Sequence, residues 1–240
     1  MHLTAAEFAV AVAIVMLGGF VQGSIGFGLN LVIVPVIALL EPAAVPGAVL
    51  LLSLPMTTTM AWHERGHIDR HGVRHLLYGR IPGTVAGFGV LTLLDGDERL
   101  VFVGFSLLIA VAITAIAPTF HPGRRSLVPA GFATGVTGTV AGIDGPPMAL
   151  VYQHSAPPVM RATLAVMFAI GGIASAIAAT ASGDLRGWHL LLTVALMPAM
   201  LLGQLVAHRI RSRLPLAWFR VSVLVIAAVA AVSTTWRGLA

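Results

Sequence analysis

Hydrophobic residues run through the chain in long blocks, with neither the strict alternation of half-buried strands nor the polar face of a surface helix. Apolar stretches fall at about 5–22, 29–40, 44–61, 76–94, 100–117, 127–140, 146–153, 159–180, 188–207 and 215–235. Most approach the ~20 residues that a helix needs to cross a hydrocarbon core of ~30 Å. Barrel strands would be about half as long and alternating. The pattern predicts an all-α integral membrane protein. One region breaks it: residues 18–35, GGFVQGSIGFGLNLVIVP, set five glycines, Gln22, Ser24, Asn30 and Pro35 inside a run that carries no charge between Glu7 and Glu41. An interior glycine costs a helix about 1 kcal/mol, so stability does not ask for these residues.

A second region has the same character. Laid over the first half at an offset of 112, the second half pairs Gly19-Phe20 with Gly131-Phe132, Gly23 with Gly135, Gly26 with Gly138 and Pro35 with Pro147. Further on, Gly66-His67-Ile68 answers Gly183-Asp184-Leu185, and Pro82 and Gly87 answer Pro198 and Gly203. The chain reads as a duplication of a unit of roughly 115 residues, with repeats at 1–120 and 121–240 forming one membrane domain.

Arginine placement gives the repeats a direction, because cytoplasmic loops are enriched in Lys and Arg. Loop 63–80 (Arg65, Arg70, Arg74, Arg80), loop 121–125 (Arg124, Arg125) and loop 208–213 (Arg209, Arg211, Arg213) are expected inside. The turn 95–99, with Asp95, Asp97 and Glu98 against Arg99, suits the outside, as does the turn at Asp184. That assignment makes the duplication inverted in topology. Each repeat is then a broken or re-entrant helical hairpin, 5–40 or 127–153, followed by three transmembrane helices. Whether 5–22 spans fully or re-enters stays open.

Composition agrees with the membrane reading: 240 residues are 58% hydrophobic and 10% charged, with mean hydropathy +0.94. The sequence pI of 11.2 reflects a net charge of only +5, and every basic residue is a scattered arginine, which excludes a nucleic-acid surface. The absence of cysteine excludes disulfides, thiolate metal sites and cysteine nucleophiles. The first apolar run lacks a basic flank and an evident cleavage site, so it is expected to be retained.

Non-helical backbone at membrane depth is tolerated where protein or a water-filled cavity covers it, and transporters place substrate there. Two broken segments entering from opposite faces would bring helix N-termini together, each with free N–H groups and about half a positive charge. That predicts an anion site formed by Gln22, Gly23, Ser24, Gly26, Gly28 and Asn30 in the first repeat and Thr137, Gly138, Gly142 and Gly145 in the second. A plainer reading makes Gly19, Gly23, Gly131 and Gly135 helix-packing positions. Pro35 and Pro147 mark the half-helices and are candidate gating positions. Asp144, an acidic residue inside an apolar segment, is read either as a proton-coupling group or as the N-cap of the half-helix that follows it. Arg161 would draw anions toward it.

The spacing G-x-x-x-G-x-x-G-x-G ahead of a proline, repeated as GFATGVTGTVAGIDGPP and followed by PPVMRATL, resembles the sulfite exporter TauE/SafE family of bacterial membrane permeases. The resemblance spans nearly the whole chain. It implies a multi-pass carrier of the bacterial inner membrane, acting on small sulfur-containing or organic anions such as sulfite or sulfonates, commonly for export. The expected partners are the anion, the lipid bilayer, protons as coupling ion and a second copy in a homodimer, with no cofactor, no metal and no nucleic acid. A passive anion channel or an accessory membrane subunit is the alternative.

Two further patterns offer other chemistry. His63, His67, His71 and His75 recur every four residues, but Gly66 and Gly72 interrupt the stretch, and a solvated loop fits better than a metal site. Gly23-Ser24-Ile25-Gly26 matches neither G-x-S-x-G nor G-x-S-G, so an intramembrane enzyme is not expected.

Overall fold

In a computed structural model, the structure describes residues 3–45, 47–94, 124–181 and 185–210, with 98, 101, 102, 104–106, 108, 109, 112, 183, 232 and 236. Among these residues regular structure is helical throughout, and no strand occurs. The first four helices are α1 (Ala5–Ile25), α2 (Leu29–Leu40), α3 (Gly47–His63) and α4 (Arg70–Leu93). The second set comprises α5 (Leu127–Ala141), α6 (Gly145–Tyr152), α7 (Pro157–Ala181) and α8 (Gly187–Ile210). Three of them, α1, α7 and α8, are long and apolar enough to cross a membrane, with mean hydropathy of 2.0 to 2.1. The spans expected at 100–117 and 215–235, together with Asp95, Asp97, Arg99, Asp184, Arg211 and Arg213, lie outside the described residues or largely so.

Local chemistry sets the helix ends. Thr4 and Glu7 form a reciprocal cap at the start of α1: the Glu7 N–H donates to the Thr4 hydroxyl (3.3 Å), and the Thr4 N–H donates to the Glu7 carboxylate (2.8 Å). The stops are glycine. Gly26 ends α1 with φ 104° and Gly142 ends α5 with φ 70°, left-handed conformations that close a helix and that other residues rarely adopt. Asp69 caps α4 by accepting from the Gly72 N–H at 2.9 Å.

That cap corrects one expectation. The polar stretch Arg70–Arg80 is helix, not loop, because Asp69 starts α4 well ahead of its apolar part, and the connection between α3 and α4 shrinks to residues 64–69. Arg80 consequently sits ten residues into α4, about 15 Å along its axis at ~1.5 Å per residue.

The helices interlock across the two halves. α1 packs on α8 and α5 on α4, while α3 and α7 face each other and also touch α8 and α4 respectively. Glycines allow the close crossings: a side chain at Gly19 would strike the Met200 carbonyl, at Gly203 the Met16 carbonyl, at Gly131 the Leu76 carbonyl and at Gly83 the Phe132 carbonyl. Inside this frame lie α2, almost wholly buried, and the short α6. Both breaks, Gly26-Phe27-Gly28 and Gly142-Ile143-Asp144, are buried, so their irregular backbone is covered by protein. The breaks recur at 116 residues, Gly26 with Gly142 (142 − 26) and Leu29 with Gly145 (145 − 29). The glycine identities at 112 are therefore about one helical turn out of step with the equivalent geometry.

Candidate functional site

Each break is fixed by hydrogen bonds that leave particular groups unused. At the first, the Leu29 N–H donates to Gln22 Oε1 at 3.1 Å, so the Gln22 side chain caps α2 from the last turns of α1. At the second, the Ile143 N–H donates to the Thr137 carbonyl at 3.2 Å, and the Thr137 hydroxyl donates back to the Ile143 carbonyl at 2.7 Å. Asn30 joins the two breaks, its Nδ2 donating to the Gly142 carbonyl.

Between them lies a small polar cavity. Its walls include Gln22, Gly28 and Asn30 from one half and Asp144 and Gly145 from the other, closed by Ser53 and Thr57 of α3 and Phe168 of α7. Ser53, Thr57 and Phe168 come from the middle turns of their helices, so the cavity sits about halfway along the bundle. Gln22 is 4% exposed, and its Nε2 has no hydrogen-bond partner among the described residues. The Oε1 contact to Leu29 fixes which end of the amide is free: a donor.

Behind Asp144 stands Arg80, 2% exposed. Its Nη2 donates to both carboxylate oxygens, at 3.1 and 3.0 Å, while Nε and Nη1 have no partner among the described residues. Two glycines make room for the pair. A side chain at Gly138 would fall on the Asp144 carboxylate, and one at Gly171 on the Arg80 guanidinium.

At one end of the bundle a second polar cluster closes over the connection 64–69. Arg161 Nε donates to both Glu64 oxygens at 2.9 and 3.1 Å, the Tyr152 hydroxyl donates to Asp69 at 3.0 Å, and the Asp69 N–H donates to the Thr163 hydroxyl at 3.0 Å. Partial burial pushes the Asp69 carboxyl up, but the Gly72 amide, the Tyr152 hydroxyl and nearby His71 outweigh it and hold it below the usual carboxylate range. Among the described residues no group of three or more His, Asp or Glu gathers to hold a metal ion. The rings of His71 and His75 lie one turn apart in α4, centroids 4.2 Å apart and tilted by 36°, and do not converge with the other two histidines of that series.

The family model for the sulfite exporter TauE/SafE matches residues 11–234. The chain belongs to this family. TauE/SafE proteins are membrane transporters and the family is not one of enzymes, so this is a membrane protein of a sulfite and anion exporter family. No curated protein and no solved structure matches the chain.

Against that TauE/SafE frame, the residues singled out in the sequence divide. Gln22, Gly28, Asn30, Asp144 and Gly145 line the cavity. Gly26 and Gly142 shape the breaks, and Gly26 also lies under Arg161, whose Cα would be 3.2 Å from an added Cβ. Gly23 faces Ala207 and Gln204 of α8, a packing position. The Ser24 hydroxyl donates to its own helix at the Phe20 carbonyl, 2.8 Å. Thr137 and Gly138 support the second break and the carboxylate, and Pro35 and Pro147 are buried within α2 and α6. Arg161 is engaged with Glu64.

Two details alter the expected anion site. Asp144 makes no side-chain cap to α6, its carboxylate being turned to Arg80. The start of α6 is also poor in donors: Pro146 and Pro147 lack N–H groups, leaving Gly145 alone among its first three positions. The cation that sequence reasoning missed, Arg80, supplies positive charge on this side. Its signal was an arginine inside the apolar stretch 76–94, at mid-helix once Asp69 is recognised as a cap.

Proposed function

We propose that the protein is a secondary transporter of small sulfur-containing or organic oxyanions in the bacterial inner membrane, working in the export direction, with the cavity between the two breaks as its substrate site. One observation carries this reading: the Gln22 Nε2 donor is buried at the cavity wall with no acceptor among the described residues, and its orientation is locked by Leu29. A buried donor without a partner costs about 1–3 kcal/mol, a cost that an incoming anion would remove. The N-terminal end of α2 points its dipole and amides to the same place.

The two halves are read as inverted repeats, and the packing supports this. The connection 64–69, the end of α6 and the start of α7 meet at one end of the bundle, with Gly26 beneath Arg161 there. The opposite end holds the start of α8, where His189 Nε2 lies 2.8 Å from the Ala43 carbonyl, and Gly142 approaches Val49 near the start of α3. The hairpin α1–α2 then opens at one end and α5–α6 at the other, the arrangement that lets one site face alternate sides. Asp144, on the cavity wall, is read as the carrier of the coupling proton.

The test is binding by purified protein in detergent of sulfite, thiosulfate, methanesulfonate and acetate, with choline and glycerol as controls. At least one anion binds and the controls do not. Gln22→Leu weakens that binding about tenfold or more, since a hydrogen bond to a charged group is worth ~1.5–3 kcal/mol and each ~1.4 kcal/mol is a factor of ten. Equal affinity in Gln22→Leu would remove the site assignment.

A further inference from the structure

We infer that Arg80 is the resident countercharge of the transported anion, and that the Asp144 carboxylate occupies the anion's place while the site is empty. This rests on the anion-carrier reading above and adds to it the group that holds the charge and the number of protons that move with it.

The geometry is that of a guanidinium kept in reserve. Asp144 forms part of the cavity wall, and Arg80 Nη2 stands directly behind it, 3.0 and 3.1 Å from its two oxygens. One nitrogen serves both oxygens. Among the described residues Nε and Nη1 have no hydrogen-bond partner although the side chain is 2% exposed, in contrast to the usual full pairing of buried polar groups. The guanidinium lies against the backbone of Gly171. A planar fork with unused donors matches the oxygens of a sulfite, sulfonate or carboxylate group.

Charge balance then fixes the order of events. With Arg80 cationic and Asp144 ionised, the pair is neutral, and an anion entering beside it would carry an uncompensated charge into a medium of low dielectric. Arg80 from α4 and Gly138 from α5 lie against the Asp144 carboxylate, and Gln22, Gly28 and Asn30 from the first break, Ser53 and Thr57 from α3 and Phe168 from α7 share the cavity wall with it. Of these only Arg80 carries charge. When a proton binds Asp144, the carboxyl gives up its claim on the guanidinium and the anion takes its position, its charge balanced by Arg80. Deprotonation restores the ion pair and expels the anion. One proton therefore accompanies each single negative charge, and the loaded and empty sites are both neutral.

The experiment uses the full-length protein in detergent and in proteoliposomes, with methanesulfonate as a probe whose charge does not change with pH and labelled sulfite for flux. Wild-type affinity for methanesulfonate falls as pH rises. In Asp144→Asn the affinity becomes independent of pH, labelled sulfite still exchanges across the membrane, and accumulation driven by a pH gradient is lost. In the double variant Arg80→Gln/Asp144→Asn, which leaves no orphaned charge to prevent folding, methanesulfonate binding drops more than tenfold below that of Asp144→Asn, and Arg80→Lys/Asp144→Asn regains part of it. A folded double variant that binds methanesulfonate as Asp144→Asn does would overturn the role of Arg80, and pH-driven accumulation by Asp144→Asn would overturn the coupling. Failure of the wild-type protein to bind or exchange any anion of the panel would instead remove the carrier reading, and this inference with it.

Discussion

The site's character depends on where a methylene is missing. Gly138 and Gly171 leave the space in which Asp144 and Arg80 meet, and an added Cβ at Gly171 would coincide with the guanidinium itself. Gly171→Ala is accordingly expected to destabilise by about 1–3 kcal/mol through overpacking, read as a lowered melting temperature in detergent. Gly66→Ala, with nothing within 4 Å of the new methyl, leaves the melting temperature unchanged. Residue chemistry was legible in part. Gln22, Asn30 and Asp144 stand out as polar groups inside apolar runs, and the cavity contains all three. Arg80 falls where the expected loop 63–80 overlaps the apolar stretch 76–94, and grouping it with Arg70 and Arg74, which are exposed, hid that it is buried. Its partner lies 64 residues away, a pairing that only tertiary packing creates.

Among the helices, the breaks were the most readable feature. The expected ends 29–40, 127–140 and 146–153 compare with Leu29–Leu40, Leu127–Ala141 and Gly145–Tyr152, because left-handed glycines stop helices by a local rule that a sequence expresses directly. The start of α4 was misread for the opposite reason. A single capping aspartate outweighs the polarity of the turns that follow it. Asp69 accordingly carries a prediction. Its carboxyl is held below the usual range, so its stabilisation is complete above the unfolded value of ~3.9 and is lost as pH falls through the lower folded value. Asp69→Ala costs about 1 kcal/mol at neutral pH through the lost cap, and the difference from wild type shrinks as pH falls below the usual carboxylate range and Asp69 takes up its proton. A melting-temperature series of both proteins against pH checks this. A gap that stays unchanged as the pH falls through the acid range would mean that Asp69 acts through packing rather than charge.

At the scale of the whole molecule, the interlocked pairs α1–α8 and α5–α4 bind each half to the other, so neither half closes its own core. A moving site would have to arise from rocking of these pairs about the central α3–α7 contact. Recurring glycines and prolines are the basis on which the sequence reads as a duplication, but they do not say which helix packs on which, since crossings are chosen by packing of whole faces. The absence of cysteine permits a direct topology measurement. Single cysteines at Thr4 and Gly238 are expected to react with impermeant reagents from outside, and those at Ser126 and Ser212 only from the cytoplasm; labelling of 126 and 238 from one side would contradict the inverted scheme. Most direct of all is counterflow of labelled sulfite in proteoliposomes preloaded with unlabelled sulfite. A carrier with one site exposed alternately to the two faces gives transient accumulation of label above equilibrium, saturable in external sulfite. Label that merely equilibrates, with flux rising linearly with concentration, would contradict alternating access and favour a passive anion pathway.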